Sequence, residues 1–156
     1  MRRVGLLIWS WPPRTKNENI VVPEPTEARD TLLALCAGGP AAVEADRVSA
    51  LTPQDWDWIG QRAEEYRLLP LLHSTLKGQA SWGVCEAVMQ ASAQEHRTSV
   101  LRSLVMQHAL VEIGALLDAS NIPYAALKGA SLSLEFYAEP ALRPMRDLDV
   151  LVSPET

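Results

Sequence analysis

Two carboxylates stand one residue apart near the end of the chain, in Arg143-Pro144-Met145-Arg146-Asp147-Leu148-Asp149-Val150-Leu151-Val152. The pattern from Asp147 onward alternates, which predicts a strand over 147–152. In a strand, residues i and i+2 share a face. Asp147 and Asp149 then project together, and Leu148, Val150 and Val152 turn to the other side, into a core. Carboxylates held side by side repel, and a cation offsets that cost. A hard divalent ion such as Mg2+ prefers oxygen ligands and suits the pair. A lone Asp-x-Asp is common on solvated surfaces, so its meaning rests on what surrounds it.

The preceding segment supplies those surroundings. Ile122 to Leu127 is short and apolar and reads as a buried strand. Leu127-Lys128-Gly129-Ala130-Ser131-Leu132 follows, in which Gly129 permits a tight turn and close backbone approach. Ser131 to Tyr137 reads as a short helix, ended by Glu139-Pro140. Gly129 and Ser131 fall at its N-terminus, where free backbone N–H groups favour an anion. Lys128 offers a point charge and Arg143 a forked donor to such an anion. The plain alternatives are a surface lysine at a strand end and an arginine that holds a loop carboxylate. Arg146 is a further candidate for the phosphate but reads first as a solvated flank.

The Lys-Gly turn after an apolar strand, the short helix ending near Tyr137, and Arg143-Pro144-Met145-x-Asp147-x-Asp149 before an apolar run together resemble the uncharacterised nucleotidyltransferase family of the polymerase-beta-like superfamily. The Trp56 region and Arg67-Leu68-Leu69-Pro70-Leu71-Leu72 are also similar to that family's helical N-terminal part. The likeness spans roughly residues 27 to 154, and its specific part is 122–152. It implies transfer of a nucleoside monophosphate from a nucleoside triphosphate to an acceptor hydroxyl, on a small molecule or a protein. Two Mg2+ ions would sit on Asp147 and Asp149, with Lys128, Gly129, Ser131 and Arg143 on the phosphates. The superfamily's turn has Gly followed by Ser or Gly, whereas Ala130 stands here. The superfamily also uses a third carboxylate on a later strand, for which no matching position precedes Thr156; Glu155 lies along the same strand exit. A degenerate or truncated member that binds nucleotide or a partner protein without turnover is the competing reading, and a purely helical interaction module is a third.

The remainder of the chain reads as scaffold. Its 156 residues suit one domain. The net charge of −5 argues against broad nucleic-acid binding. Cys36 and Cys85 lack metal spacing and read as buried free thiols. Residues 1–25 carry Pro12, Pro13 and Pro23 and read as a poorly ordered arm. Their apolar run is too short for a membrane span, and a cytoplasmic protein with no membrane partner is the default. Residues 26–119 read as helical: a start at Thr26, a stronger one at Thr52-Pro53-Gln54-Asp55, and a helix from Pro70. Trp56, Ile59, Ala63 and Tyr66 recur at helical spacing in the second of these and read as a core stripe. A long helix, or two, covers Val84 to Leu117, with Leu101, Leu104, Val105, Val111 and Leu116 as its stripe and His108 packed upon it. Residues 120–156 read as a partial nucleotidyltransferase core, strand-turn-helix-strand, which makes the fold α+β: a helical part followed by the start of a small mixed sheet. Because the acidic strand lies so near Thr156, truncation of a longer protein is the expectation.

Overall fold

The computed structural model describes residues 26–153. The readings of residues 1–25 and of Glu155 lie outside them. The described elements run α1 (Thr26–Gly38), α2 (Ala45–Ser49), α3 (Pro53–Glu65), α4 (Leu69–Leu76), α5 (Glu86–Ala119), β1 (Tyr124–Leu127), α6 (Lys128–Glu135) and β2 (Asp149–Val152). Single 3-10 turns lie at Pro40–Ala42, Ala80–Trp82 and Pro140–Leu142. The fold is α+β, as the sequence indicates.

The helical part closes around one core. Ala28, Leu32 and Leu35 of α1, Trp56, Ile59 and Ala63 of α3, Leu69, Leu72 and Leu76 of α4 and Val88 of α5 are all buried there. Tyr66, expected on the same stripe as Trp56, is 64% exposed instead, because α3 ends at Glu65. The start of α3 follows from its sequence. The Thr52 hydroxyl accepts from the Asp55 backbone N–H, and the Asp55 carboxylate accepts from the Thr52 backbone N–H at 2.9 Å, a reciprocal cap with Pro53 in the first turn. Cys36 and Cys85 are free and half-buried.

The long helix α5 corrects the sequence reading. Leu101, Leu104, Val105, Val111 and Leu116, expected to face the core, are 58–70% exposed. His108 is also exposed and sits 3.6 Å from Glu112 instead of packing. The buried positions are Val88, Ser92, Ser99, Ser103 and Gly114. α5 packs against α4 and the Pro140–Leu142 turn, where Ser99 bonds the Ala141 carbonyl, and Gly114 leaves room for the Tyr124 ring of β1. Periodicity reveals a stripe but not which face is covered. At 34 residues α5 is about 51 Å long. By length and composition alone it passes as a membrane-crossing helix, with an 18-residue window of mean hydropathy 1.4.

β1 and β2 pair antiparallel, with Tyr124 opposite Val152 and Leu127 opposite Asp149. Two further corrections follow. β1 starts at Tyr124, not Ile122, and most of it is exposed rather than buried. β2 starts at Asp149, so Asp147 precedes the strand, and Val152 is 45% exposed instead of in a core. Residues 143–148 take an irregular path because Met145 is drawn inward. Its sulfur lies 3.6 Å from the Ser133 hydroxyl of α6. With Leu148 it faces Met106 and Leu110 of α5 along a narrow seam.

Candidate functional site

A cleft of about 280 Å³ opens where β1 passes into α6 and the 143–149 segment runs into β2. Lys128, Gly129, Arg143, Pro144, Met145, Arg146, Asp147, Asp149 and Arg67 line it. Five of the six residues singled out for chemistry therefore meet in one place. Ser131 does not. Its hydroxyl donates to the Glu135 carboxylate at 2.8 Å, one turn further along α6, because α6 begins three residues before the expected start and carries Ser131 past the first turn.

The turn itself differs from expectation by one residue. The backbone at Lys128 is left-handed, with φ +49°, whereas Gly129 is in ordinary helical geometry. Gly129 matters for space. A Cβ there would meet Met145 Cγ at 3.2 Å and Sδ at 3.3 Å, closer than side chains normally pack. Removing the side chain at 129 thus lets Met145 reach inward and sets the path of the segment that carries Asp147.

The two carboxylates do not share a strand face, since only Asp149 lies in β2, yet both border the cleft. The Lys128 ammonium sits 3.2 Å from an Asp149 oxygen. Arg143 lies with its guanidinium carbon 6.0 Å from the Tyr137 ring centre, and its Nε is buried with no hydrogen-bond partner among the described residues. A buried guanidinium N–H lacking an acceptor is costly, and a water or an anionic ligand in the cleft would satisfy it. Behind it, Ala141 and Leu142 are buried, and the Ser99 hydroxyl of α5 donates to the Ala141 carbonyl. This bond ties the approach to Arg143 onto the long helix.

Among the described residues no group of three or more His, Cys, Asp or Glu side chains is arranged around a metal position. Two carboxylates nevertheless fit Mg2+, which commonly takes one or two protein carboxylates and completes its shell with water and substrate phosphate oxygens.

Arg67 is the cleft residue that reasoning about the motif missed. It comes from the α3–α4 junction, 61 positions before Lys128 in the numbering. Burial, then repulsion from Arg146 and Arg102, lowers its pKa, while Asp147 acts in the opposite sense. A charged residue directly after a helix end, where glycine usually stands, was the signal available in the sequence.

No curated protein and no solved structure matches the chain. A family model described as uncharacterised nucleotidyltransferase matches residues 52–156. That span begins just before α3, takes in Arg67 and continues through both cleft carboxylates, so one family model covers α3 to α5 together with the motif. With two thirds of its length matched and the motif residues gathered in one cleft, the chain belongs to the uncharacterised nucleotidyltransferase family.

Proposed function

We propose that the cleft binds a nucleoside triphosphate with Mg2+ and transfers its nucleoside monophosphate to an acceptor hydroxyl. The observation that carries this reading is the meeting of two carboxylates with four cationic side chains in one small cleft. Asp147 and Asp149 would hold the divalent ion or ions. Bound there, the metal supplies a low-pKa nucleophile and neutralises charge on the leaving oxygens. Lys128 would exchange its contact with Asp149 for a phosphate oxygen. Arg143, with a fixed fork and a buried unpaired N–H, would orient the phosphate chain. The new bond joins the acceptor oxygen to the α-phosphorus, the α–β bridging bond breaks, pyrophosphate leaves, and the hydroxyl proton passes to solvent.

The acceptor is a small molecule or a protein side chain. The net charge of −5 weighs against a nucleic acid. The compartment proposed is the cytoplasm, where nucleoside triphosphates are supplied. One observation favours a second reading, nucleotide binding without turnover: Asp149 is already engaged by Lys128.

Calorimetry with triphosphates and Mg2+ tests the site. The double variant Asp147→Asn with Asp149→Asn is expected to lose magnesium-dependent binding while its melting temperature stays near that of the parent. Unchanged magnesium-dependent affinity would remove these carboxylates from the site. Tight binding by the parent chain with no pyrophosphate release against any acceptor would favour the second reading.

A further inference from the structure

The helical part contributes a charge to the cleft that the motif does not contain. Arg67 closes α3 in a left-handed terminating turn: its N–H donates to the Glu64 carbonyl at 3.1 Å, and the Leu68 N–H donates to the Ala63 carbonyl at 2.6 Å. Its φ is +60°. Glycine or asparagine ordinarily occupies this position, because a Cβ is strained there. Here the strained position holds a long cationic side chain that lines the cleft. Among the described residues its guanidinium makes no hydrogen bond or ion pair.

The charge balance of the cleft points the same way. Arg67, Lys128, Arg143 and Arg146 face Asp147 and Asp149, an excess of two positive charges in a chain whose net charge is −5. Such an excess is self-repelling; burial first, then the nearness of Arg146 and Arg102, lowers the Arg67 pKa. One divalent ion on the carboxylates raises it further. A ligand that balances four cations, two carboxylates and a divalent ion must carry about four negative charges, as a triphosphate does and a monophosphate does not. The cleft volume, about 280 Å³, lies near the lower end for ligand sites, which suits a phosphate chain with the nucleoside held at the rim.

We infer that Arg67 binds the distal phosphates, the ones that leave as pyrophosphate, so that the helical part and the Asp-x-Asp motif share one polyanion site. This rests on the nucleotidyl-transfer reading for the identity of the ligand but not for its charge. The test therefore uses two probes with Mg2+ on the full chain: inorganic tripolyphosphate, and adenosine tri-, di- and monophosphate in parallel.

Arg67→Gln is expected to weaken tripolyphosphate and the triphosphate at least tenfold and the monophosphate less than threefold. Arg67→Lys should restore part of the loss, and Arg47→Gln, on α2 away from the cleft, should change nothing. Arg67→Gly separates function from folding. It relaxes the backbone, so its melting temperature should hold or rise while tripolyphosphate affinity falls as in Arg67→Gln. Wild-type affinity for tripolyphosphate in Arg67→Gln overturns the assignment, as does an equal loss for all three nucleotides. If Asp147→Asn with Asp149→Asn loses nucleotide while Arg67→Gln does not, only the Arg67 inference falls. If tripolyphosphate binds through Arg67 but no nucleotide does, the polyanion site stands and the nucleotide reading falls. A parent chain that binds neither probe overturns both.

Discussion

Lys128 touches Asp149, and that contact gives the cleft a built-in competitor for cations. The pair is largely open to water, so its net value is at most about 1 kcal/mol. Lys128→Met should therefore raise Mn2+ affinity in the absence of phosphate ligands by up to about fivefold, the equivalent of that energy, while weakening binding of a triphosphate. Titration followed by the paramagnetic signal of free Mn2+ measures the first effect; a weaker Mn2+ affinity in the variant would mean that the lysine does not compete for Asp149. Gly129 makes a different prediction. Its φ is not left-handed, so Gly129→Val leaves the turn intact, but the new side chain pushes Met145 and the 143–149 segment. Overpacking of this kind costs about 1–3 kcal/mol. Nucleotide affinity should fall by more than helix content does, as followed by calorimetry and circular dichroism; unfolding instead would restore the turn to the glycine. Which residues meet in the cleft was legible from the motif, apart from Ser131 and Arg67. Their geometry was not. The strand argument paired Asp147 with Asp149 on one face, whereas Asp147 reaches the cleft from an irregular segment shaped by the inward pull of Met145.

At the scale of elements, local chemistry was the most readable. Thr52, Pro53 and Asp55 announce the start of α3, and the structure has the reciprocal cap. Thr52→Ala should cost about 1 kcal/mol in a urea melt. Hydrogen bonds from the Thr52 side chain and backbone lower the Asp55 pKa from its ordinary 3.8. A carboxylate with a depressed folded-state pKa stabilises above its unfolded value and loses that contribution as pH falls through the folded one. The gap between parent and Thr52→Ala should accordingly narrow below about pH 4, the unfolded range for Asp. A gap that stayed constant down to pH 2 would show the Asp55 half of the cap to be idle. Strand boundaries were less readable, because Ile122 to Leu127 and Asp147 to Val152 are apolar enough for a core. The described sheet has two strands, and its outer surfaces are exposed.

For the molecule as a whole, α5 joins the two parts, packing on α4 and fixing the chain before Arg143 through Ser99. Its exposed leucines and valines are where whole-chain reasoning went furthest astray, since a hydrophobic stripe ordinarily marks the buried side. Leu104→Gln with Val111→Gln should change stability by no more than about 0.5 kcal/mol, the range for surface positions, where a core stripe would lose several. The same pair should raise solubility by breaking an apolar patch. A large loss of stability would return those residues to the core. The global charge was legible, and so was most of its local reversal, since Lys128, Arg143 and Arg146 stand beside the aspartates in sequence; Arg67 was not, because it is distant from the motif. One consequence concerns anyone who would engineer the molecule for heat resistance. Three described non-glycine residues have left-handed backbones, Arg67, Asn121 and Lys128, and two of them border the cleft. Glycine at such positions relieves the strain of a Cβ in a left-handed backbone and toughens the fold. Here that route would toughen the scaffold by erasing two of its four cleft cations, and only Asn121 offers the gain without the sacrifice.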